Sequence, residues 1–308
     1  MSVTPAKRCA VIGIVGRTNA GKSTLINRLV GEKISIVSPI VQTTRNTIRG
    51  ILTEKRGQLV FMDTPGLQHK AEGHLGTLLN RMARQSAANA DALLIVLDGS
   101  SSPHIEDDGW MRRALFTEQP VIFFLNKSDC SPFYTEAYSE LWRKIQEEKK
   151  QTREILRFAG SAETGEHLKE LTDALFALAT PTEELLFESD TVTDYPRRLA
   201  IADVVREKLF TKLYEELPHE IGVRVDDIQE NGTKWLVTAT IMVNRPSQKA
   251  IVMGPKGRTL RYVKRAAEPE ISAMFGVEAE LETWVKVERN WMDNFWLLRQ
   301  MGYAGADH

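Results

Sequence analysis

Eight residues near the start of the chain have the composition of a phosphate-binding loop. Residues 16–23, GRTNAGKS, match G-x-x-x-x-G-K-[ST], follow an apolar run and open a helical pattern. In such a loop backbone N–H groups surround the phosphates, the lysine reaches the β- and γ-phosphates and the hydroxyl binds Mg²⁺. A chance glycine-rich turn is the alternative, and it does not explain the flanking elements. The predicted nucleotide contacts are Gly16, Arg17, Thr18, Asn19, Ala20, Gly21, Lys22, Ser23 and Thr24.

A second tetrapeptide, DTPG at residues 63–66, follows the apolar run at residues 58–63. A carboxylate at a strand end can hold Mg²⁺ through water, and Gly66 can offer its N–H to the γ-phosphate and rearrange when that phosphate leaves. Alone, the tetrapeptide is typical of a surface turn. About forty residues after a phosphate loop, it indicates a nucleotide switch. The predicted contacts here are Asp63, Thr64, Pro65, Gly66 and Leu67.

The sequence NKSD at residues 126–129 identifies the base. Guanine presents N1–H and N2–H donors that one carboxylate can accept as a pair, whereas adenine has no such pair, so Asp129 argues against an ATPase. We expect Asn126 to tie the base to the loop and the Lys127 stem to cover the base. In GSAE at residues 160–163, the Ala162 N–H can donate to guanine O6. The predicted base contacts are Asn126, Lys127, Ser128, Asp129, Ser161 and Ala162.

Two threonines in QTTR, Thr43 and Thr44, lie between these motifs. A threonine here would complete the Mg²⁺ site when the γ-phosphate is present, and of the two we favour Thr44. A threonine pair in an ordinary loop is the alternative. The predicted magnesium ligands are Ser23, Thr44 and Asp63, and the predicted catalytic residues are Lys22, Thr44 and Gly66.

The motifs lie on alternating elements. Nearly unbroken apolar runs at residues 9–16, 58–63, 92–98, 120–126 and 154–160 are separated by helical patterns such as 75–89 and 139–150. Buried parallel strands alternating with helices indicate an α/β, doubly wound domain. Residues 48–53 predict an antiparallel edge strand. Each motif then follows a strand, where the carboxyl ends of parallel strands form a binding edge.

The pattern changes after residue 180. We predict a nucleotide-binding domain at residues 1–180, with switch regions at 32–47 and 63–75, a strandless linker at 181–194 and a second domain at 195–308. The stretch PTEELLFESDTVTDYP at residues 181–196 contains two prolines and many acids. A long helix at 196–217, strands at 219–229 and 233–244 joined by a turn at Asn231 and Gly232, two helices and a strand at 277–287 follow. The second domain is therefore α+β, in the order α-β-β-α-α-β.

A basic window surrounds the tetrapeptide GPKG. Residues 245–265 contain seven Lys or Arg and no Asp or Glu. In KH domains a GXXG loop between two helices clamps about four nucleotides of single-stranded nucleic acid. Apolar residues 251, 252, 260 and 263 would anchor the helices, and a solvated basic helix pair is the alternative. The predicted RNA contacts are Lys249, Gly254, Pro255, Lys256, Gly257, Arg258 and Arg261.

The chain resembles bacterial GTPases of the Era family, within the translation-factor class of P-loop GTPases, over almost its whole length. GRTNAGKSTLINRLVGEKISIVSP, QTTRN, DTPGL, NKSD, YPRRLAIADVVREKLF, LPHEIGV, RPSQKAIVMGPKG and WVKVERNW carry the resemblance. It implies a GTPase domain joined to a type II KH domain. It also implies binding of GTP or GDP, and of the 3′ end of small-subunit ribosomal RNA, with a role in 30S subunit assembly controlled by the nucleotide.

Two residues bear on hydrolysis. Leu67 stands where Ras-like proteins have a water-orienting glutamine, so intrinsic hydrolysis should be slow without assistance. GTPases that resemble this chain and carry asparagine at the position of Asn19 often use K⁺ near the phosphates, which would make Asn19 a ligand of that ion. A hydrogen bond within the loop is the alternative role for Asn19. The sequence departs from the usual pattern of the family at residues 264–271, KRAAEPEI, where Pro269 predicts a helix break near Ala267.

Composition limits the remaining options. With 308 residues, 42% of them hydrophobic, and a net charge of −1, the chain reads as a soluble, cytoplasmic protein whose basic site is local. Cys9 and Cys130 lack metal-ligand or redox spacing and are expected to be reduced and buried.

We expect a monomer. The alternative function is a GTPase whose basic domain binds a protein partner or, peripherally, the inner face of the cell membrane.

Overall fold

The computed structural model describes residues 7–37, 46–63, 73–214 and 217–303. The chain divides into two compact units, one containing most residues up to Asp194 and the other containing the residues from Tyr195 onward. The first unit has a seven-stranded sheet and the second a three-stranded sheet. The predicted succession of an α/β unit and an α+β unit is confirmed.

The sheet of the first unit is mostly parallel. Its spatial order is β2-β3-β1-β4-β5-β6, with β7 paired to β1, and only β2 and β7 are antiparallel to their neighbours. The predicted antiparallel edge strand is therefore β2. The strands are β1 (Lys7–Val15), β2 (Ile48–Glu54), β3 (Gly57–Asp63), β4 (Ala92–Asp98), β5 (Val121–Asn126), β6 (Leu156–Ala159) and β7 (Thr180–Thr182).

Among the described residues, five helices alternate with these strands along the chain: α1 (Lys22–Val30), α2 (Gly73–Ala88), α3 (Ile105–Phe116), α4 (Thr135–Lys149) and α5 (Leu168–Leu178). Every residue of β4 and β5 is buried, as expected for central parallel strands. Trp142 of α4 packs edge-on against Phe123 of β5, with ring centroids 5.2 Å apart. This core fixes the carboxyl end of β5, where the predicted loop NKSD begins.

The segment predicted to be a strandless linker contains a strand. β7 pairs with the start of β1, with Thr180 opposite Cys9. Further along, the N–H of Ile51 donates to the Val192 carbonyl at 2.9 Å. These pairings are made by the backbone, so the side chains of this acidic segment gave no signal of them.

The second unit contains a three-stranded sheet in the order β10-β9-β8. β8 and β9 are antiparallel, and β10 is parallel to β9. The predicted α-β-β-α-α-β order is present, with an additional short helix before β8. The elements are α6 (Arg197–Phe210), α7 (Leu217–Glu220), β8 (Gly222–Asn231), β9 (Lys234–Val243), α8 (Pro246–Met253), α9 (Arg258–Phe275), β10 (Glu278–Val287) and α10 (Phe295–Gln300).

Two boundaries in this unit differ from the prediction. The helix predicted to run to residue 217 ends at Phe210, where the N–H of Leu213 bonds the Leu209 carbonyl and Leu213 is buried outside the helix. The hairpin turn is shifted by one residue, because Asn231 pairs with Lys234 and leaves Gly232 and Thr233 as the turn. Gly232 has φ 62°, a conformation that favours glycine.

The core of the second unit lies between its sheet and two helices. Val204, Val205 and Leu209 of α6 are fully buried, as are Val263 and Ile271 of α9. Val205 and Leu209 are four residues apart and Val263 and Ile271 are eight apart, which places each pair on one face of its helix. Nowhere in the described ranges does a helix combine the length and apolarity needed to cross a bilayer.

The break predicted near Ala267 is absent, because α9 runs from Arg258 to Phe275 with Pro269 inside it. Pro269 is exposed, whereas Val263, Ala267 and Ile271 are fully buried against the core. Proline removes the backbone donor that would reach the carbonyl four residues earlier, and its ring crowds that carbonyl. Packing of the buried face therefore holds the helix together despite a local cost.

Replacing Pro269 with Ala should stabilise the protein. The variant regains a backbone hydrogen bond and loses the clash, which should raise the free energy of unfolding by about 1–3 kcal/mol. Urea unfolding followed by far-ultraviolet circular dichroism measures the change. Arg265→Ala, at another exposed position of α9, is the matched control and should have little effect. Equal stability of Pro269→Ala and the parent would contradict this account of α9.

Candidate functional site: a nucleotide pocket and a basic glycine loop

The phosphate loop joins β1 to α1 and lies against β4 and β5. Gly16 has φ 150°, and a Cβ there would lie 2.2 Å from the Val96 carbonyl oxygen. Gly21 has φ 92°, and a Cβ there would lie 2.3 Å from Asn126 Nδ2. Both positions therefore need glycine. Asn19, two residues before Gly21, has φ 61°, so two residues of the loop adopt left-handed backbone conformations before the helix begins.

Lys22 is buried at the start of α1, and its ammonium group lies over the loop. Nζ donates to the Gly16 carbonyl at 3.0 Å and to the Arg17 carbonyl at 2.8 Å. Burial lowers the pKa of Lys22 to about 8, although Asp63 opposes the shift. A desolvated ammonium held by two carbonyls is suited to bind an anionic phosphate at this place.

The carboxylate of Asp63 ends β3 beside the first turn of α1. Asp63 Oδ2 accepts hydrogen bonds from Ser23 Oγ at 2.8 Å and from Ser35 Oγ at 2.9 Å. Ser35 is held in turn by Asn27, whose Oδ1 accepts from the backbone N–H groups of Ile34 and Ser35 at 3.0 and 2.9 Å. The structure thus brings the predicted Ser23 and Asp63 together and adds Ser35 and Asn27, which no motif indicated.

The oxygen atoms of Ser23 and Asp63 are donors of the kind that Mg²⁺ prefers. The pair supplies two oxygen donors, so it would leave the other ligand positions of such an ion to nucleotide phosphates and water. Several other predicted residues lie outside the described residues, namely Thr43, Thr44, Thr64, Pro65, Gly66 and Leu67.

The side chain of Asn126 connects two loops at the end of β5. Nδ2 donates to the Ala20 carbonyl of the phosphate loop at 2.8 Å. Oδ1 accepts from the N–H of Ala162 at the same distance. Asn126 therefore connects the phosphate loop to the loop that contains Ala162. Its predicted contact with the base stays a prediction, and in a complex guanine O6 would share the Ala162 N–H with Asn126.

Asp129, the predicted guanine reader, is exposed and oriented by a buried neighbour. Ser161 Oγ donates a short hydrogen bond to Asp129 Oδ1, and Ser161 itself is fully buried. This bond lowers the pKa of Asp129, and burial opposes the shift without cancelling it. The carboxylate is therefore ionised and held in place near neutral pH.

The contacts of three neighbours of Asp129 were only partly anticipated. Lys127 has φ 70°, and its Nζ donates to Asp98 Oδ2 at 2.8 Å. Ser128 Oγ bonds Glu166. Cys130 is exposed, with Sγ 3.5 Å from Asp129 Oδ2, so the expected burial of this thiol is wrong, while Cys9 is buried as expected.

The basic loop of the second unit has a backbone that favours glycine. Gly254 ends α8 with φ 67°, and a Cβ there would lie 2.3 Å from Thr259 Oγ1. Gly257, with φ 73°, precedes α9, and the nearest atom to a Cβ there is Arg261 Nη1 at 3.7 Å. Between them Lys256 has φ 52°. The loop therefore turns sharply and leaves open space above Gly257.

The cations around this loop face solvent. Lys256, Arg258 and Arg261 are exposed, as is Pro255, and Lys249 is half-buried. Within the described residues, none of these four lysine and arginine side chains forms an ion pair. One expectation fails here. Val252 and Val263 are buried anchors as predicted and Leu260 packs against the core, but Ile251 is 58% exposed beside the loop. The surface therefore combines positive charge with an apolar side chain.

Comparisons with known proteins match both units of the chain. The family model described as a 50S ribosome-binding GTPase matches residues 11–127, and the KH domain model matches residues 216–292. GTPase Era of Rippkaea orientalis is 37% identical over 292 residues, covering 95% of this chain and 91% of that protein. GTPase Era of Caldanaerobacter subterraneus is 35% identical over 301 residues, covering 97% and 99%.

The chain belongs to the Era family of GTPases.

Solved structures of Era support the same assignment. A variant of Aquifex aeolicus Era bound to GDP and AlF4⁻ superposes with a TM-score of 0.87 at 31% identity, covering 97% of this chain and all of that one. Era in complex with MgGDPNP and nucleotides 1506–1542 of 16S ribosomal RNA gives a TM-score of 0.88 at 32% identity, with the same coverage. This Era-family protein binds GTP and GDP and hydrolyses GTP.

Proposed function

We propose that this Era-family GTPase binds the 3′ region of small-subunit ribosomal RNA through its GPKG loop and assists assembly of the 30S subunit. The observation that carries the proposal is the group of four cations at the loop, which form no ion pair among the described residues. Phosphate groups would give these cations partners, and the glycines would let a nucleic-acid backbone approach. The relative solved with 16S ribosomal RNA supports the choice of RNA.

Crosslinking in cells, followed by sequencing of the bound RNA, tests this function. We expect reads concentrated at the 3′ end of the small-subunit ribosomal RNA, and we expect the protein to sediment with 30S particles. Reads spread over unrelated transcripts, or an absence of RNA with recovery of lipid, would reject the proposal. A lipid surface and a protein partner are the alternatives. Against lipid insertion, α6 buries Val204, Val205 and Leu209 in its own unit.

In the nucleotide site, we assign to Lys22 the role of holding the β- and γ-phosphates and of stabilising charge that develops during hydrolysis. Ser23 and Asp63 would hold Mg²⁺, with Thr44 completing the site, and this ion when bound neutralises phosphate charge. Gly66 would orient the γ-phosphate through its N–H. Because Gly66 lies in the second predicted switch region, GTP hydrolysis would change this region and with it the affinity for RNA.

We also propose that K⁺ assists hydrolysis through Asn19. Leu67 cannot orient water, so positive charge near the phosphates would have to come from elsewhere. Asn19 lies in the phosphate loop, and a potassium ion at its side chain would supply that charge. The protein is proposed to act as a monomer in the cytoplasm.

The potassium proposal predicts a salt-specific rate. GTP hydrolysis should be faster in KCl than in NaCl at equal ionic strength by on the order of tenfold or more. Asn19→Gly keeps access to the observed φ of 61° and removes only the amide, so it should abolish the difference. Asn290→Gly makes the same change at φ 56° in the second unit and is the matched control. Equal parental rates in both salts would remove the proposal.

A further inference from the structure

One buried carboxylate joins the phosphate loop to the base loop. Asp98 is the last residue of β4 and is buried. Its Oδ2 lies 2.9 Å from Arg17 Nη2 and accepts a hydrogen bond from Lys127 Nζ at 2.8 Å. Arg17 is the second residue of GRTNAGKS, and Lys127 is the second residue of NKSD. A single oxygen atom thus connects a cation from each of the two nucleotide-binding motifs.

The other oxygen of Asp98 is also held. Oδ1 accepts hydrogen bonds from the backbone N–H of Ser100 at 3.1 Å and from Ser100 Oγ at 2.6 Å. With both oxygens engaged, the carboxylate cannot rotate without breaking several contacts. Burial would raise the pKa of Asp98, but the hydrogen bonds from Lys127 and Ser100 outweigh it and lower the pKa. Asp98 is therefore charged at neutral pH.

The side chain of Arg17 has a second set of contacts. Nε lies 3.4 Å from Asp107 Oδ2, and Nη2 donates to Ser101 Oγ. Asp107 is fully buried and accepts from the His104 N–H at 2.9 Å and from Tyr138 Oη at 3.1 Å. The guanidinium is thus fixed to the body of the first unit from two directions.

We propose that Asp98 is a positioning residue for nucleotide binding, which holds Arg17 and Lys127 so that the phosphate and guanine halves of the site form one preorganised surface. The effect on the phosphates passes through the backbone of Arg17, whose carbonyl accepts from Lys22 Nζ at 2.8 Å. The effect on the base passes through Lys127, which is held at φ 70°.

Loss of the carboxylate would act on both halves together. Arg17 and Lys127 would lose their common partner, and their like charges would then repel each other. Each loop would have to be ordered by the nucleotide itself, which reduces affinity. Since GDP and GTP share the guanine base and the β-phosphate, both nucleotides should be affected by a similar factor.

The test is nucleotide release from the full-length protein. Asp98→Asn keeps the shape of the side chain and removes its charge. We expect a fluorescent GDP analogue to dissociate about tenfold faster and to bind with a correspondingly higher Kd, the size expected for a coupled polar network. Asp173→Asn breaks the ion pair of Asp173 with Arg56 at the surface of the same unit and should release nucleotide at the parental rate.

Two further variants separate positioning from folding. Asp98→Glu keeps the charge and should recover much of the slow release. Combining Asp98→Asn with Arg17→Gln should give an effect smaller than the product of the two single effects, because both act through one contact. Melting temperatures, measured without nucleotide, identify any variant that is merely unstable. If Asp98→Asn does not fold, Asp98→Glu and Arg17→Gln carry the release comparison.

Three results would overturn the proposal. One is release from folded Asp98→Asn within twofold of the parent. Another is faster release that appears equally in Asp173→Asn. The third is full multiplicativity of the Asp98 and Arg17 effects, since independent effects would mean that the two residues do not act through their contact.

Discussion

Asp129→Asn should lose most of its GTP affinity and gain affinity for xanthosine triphosphate. A carboxylate accepts both the N1–H and the N2–H of guanine, whereas an amide presents one acceptor and a donor that faces the N2–H. Loss of this charge-assisted pair should cost roughly 2–4 kcal/mol, or about 30-fold to 900-fold in Kd. Xanthine carries a carbonyl in place of the amino group and pairs with the amide.

The structure indicates that this substitution changes the hydrogen-bonding group at residue 129 without changing the orientation of the side chain. Ser161 Oγ donates to Asp129 Oδ1 and can donate to the amide oxygen of asparagine in the same way, so the side chain should keep its orientation. Titration with GTP and xanthosine triphosphate gives the two dissociation constants. Glu163→Gln removes a nearby exposed charge of the same sign and serves as the control. Parental GTP affinity in Asp129→Asn would show that another group reads the base.

Gly257→Asp should abolish most of the affinity for single-stranded RNA and leave GTP binding intact. The substitution places a negative charge and a side chain where an RNA backbone has to approach, and it strains a residue at φ 73°. The loss should be on the order of a few kcal/mol, and binding by the parent should weaken steeply as salt rises. A titration with a short RNA ending in the 3′ sequence of small-subunit ribosomal RNA measures it.

A matched control exists at the other end of the same helix. Gly276 ends α9 with φ 65°, and nothing lies within 4 Å of a Cβ built there. Gly276→Asp therefore adds the same charge with similar backbone strain, away from the basic loop. Both variants should bind GTP normally. If both variants lost RNA affinity equally, or if neither did, the RNA site would have to lie elsewhere. A lipid surface or a protein partner would then be the better explanation of the basic loop.

Much of the nucleotide site could be predicted because its chemistry depends on local residue types. A loop that wraps phosphates needs glycine at positions such as Gly16 and Gly21, and the structure shows the contacts that exclude a side chain there. The same holds for Asp129, whose pairing with guanine follows from one carboxylate. Fold class followed from the alternation of apolar runs with helical patterns, and it was confirmed.

The residues that support the site could not be predicted in this way. Asp98 and Ser35 carry no motif, because their roles depend on partners far along the chain, and Asn27 acts on the site only through its hydrogen bonds with Ile34 and Ser35. Asp98 bonds Lys127, and Ser35 bonds Asp63. An acid at the end of an apolar strand is a weak signal for such a role, and a serine in a loop gives none.

Two predictions for the second unit were wrong because tertiary packing decided the outcome. Pro269 was read from local geometry as a helix breaker, but the buried residues on the opposite face of α9 keep the helix continuous. Ile251 was assigned to the core from its hydrophobicity alone and is exposed beside the basic loop. In both cases the decisive information was which face of the helix meets the core, and at these positions the pattern was ambiguous.

The parallel strand β10 has a consequence for solubility. It lies at the edge of its sheet and, within the described residues, pairs only with β9, so its outer backbone groups could join a strand of another molecule. Its exposed side chains include Glu278 and Glu280, which pair with Lys234 and Lys264, and Glu282. A second copy added at this edge would bring its own Glu282 near this one and would crowd the two ion pairs. The row of charged side chains therefore discourages edge-to-edge aggregation between copies.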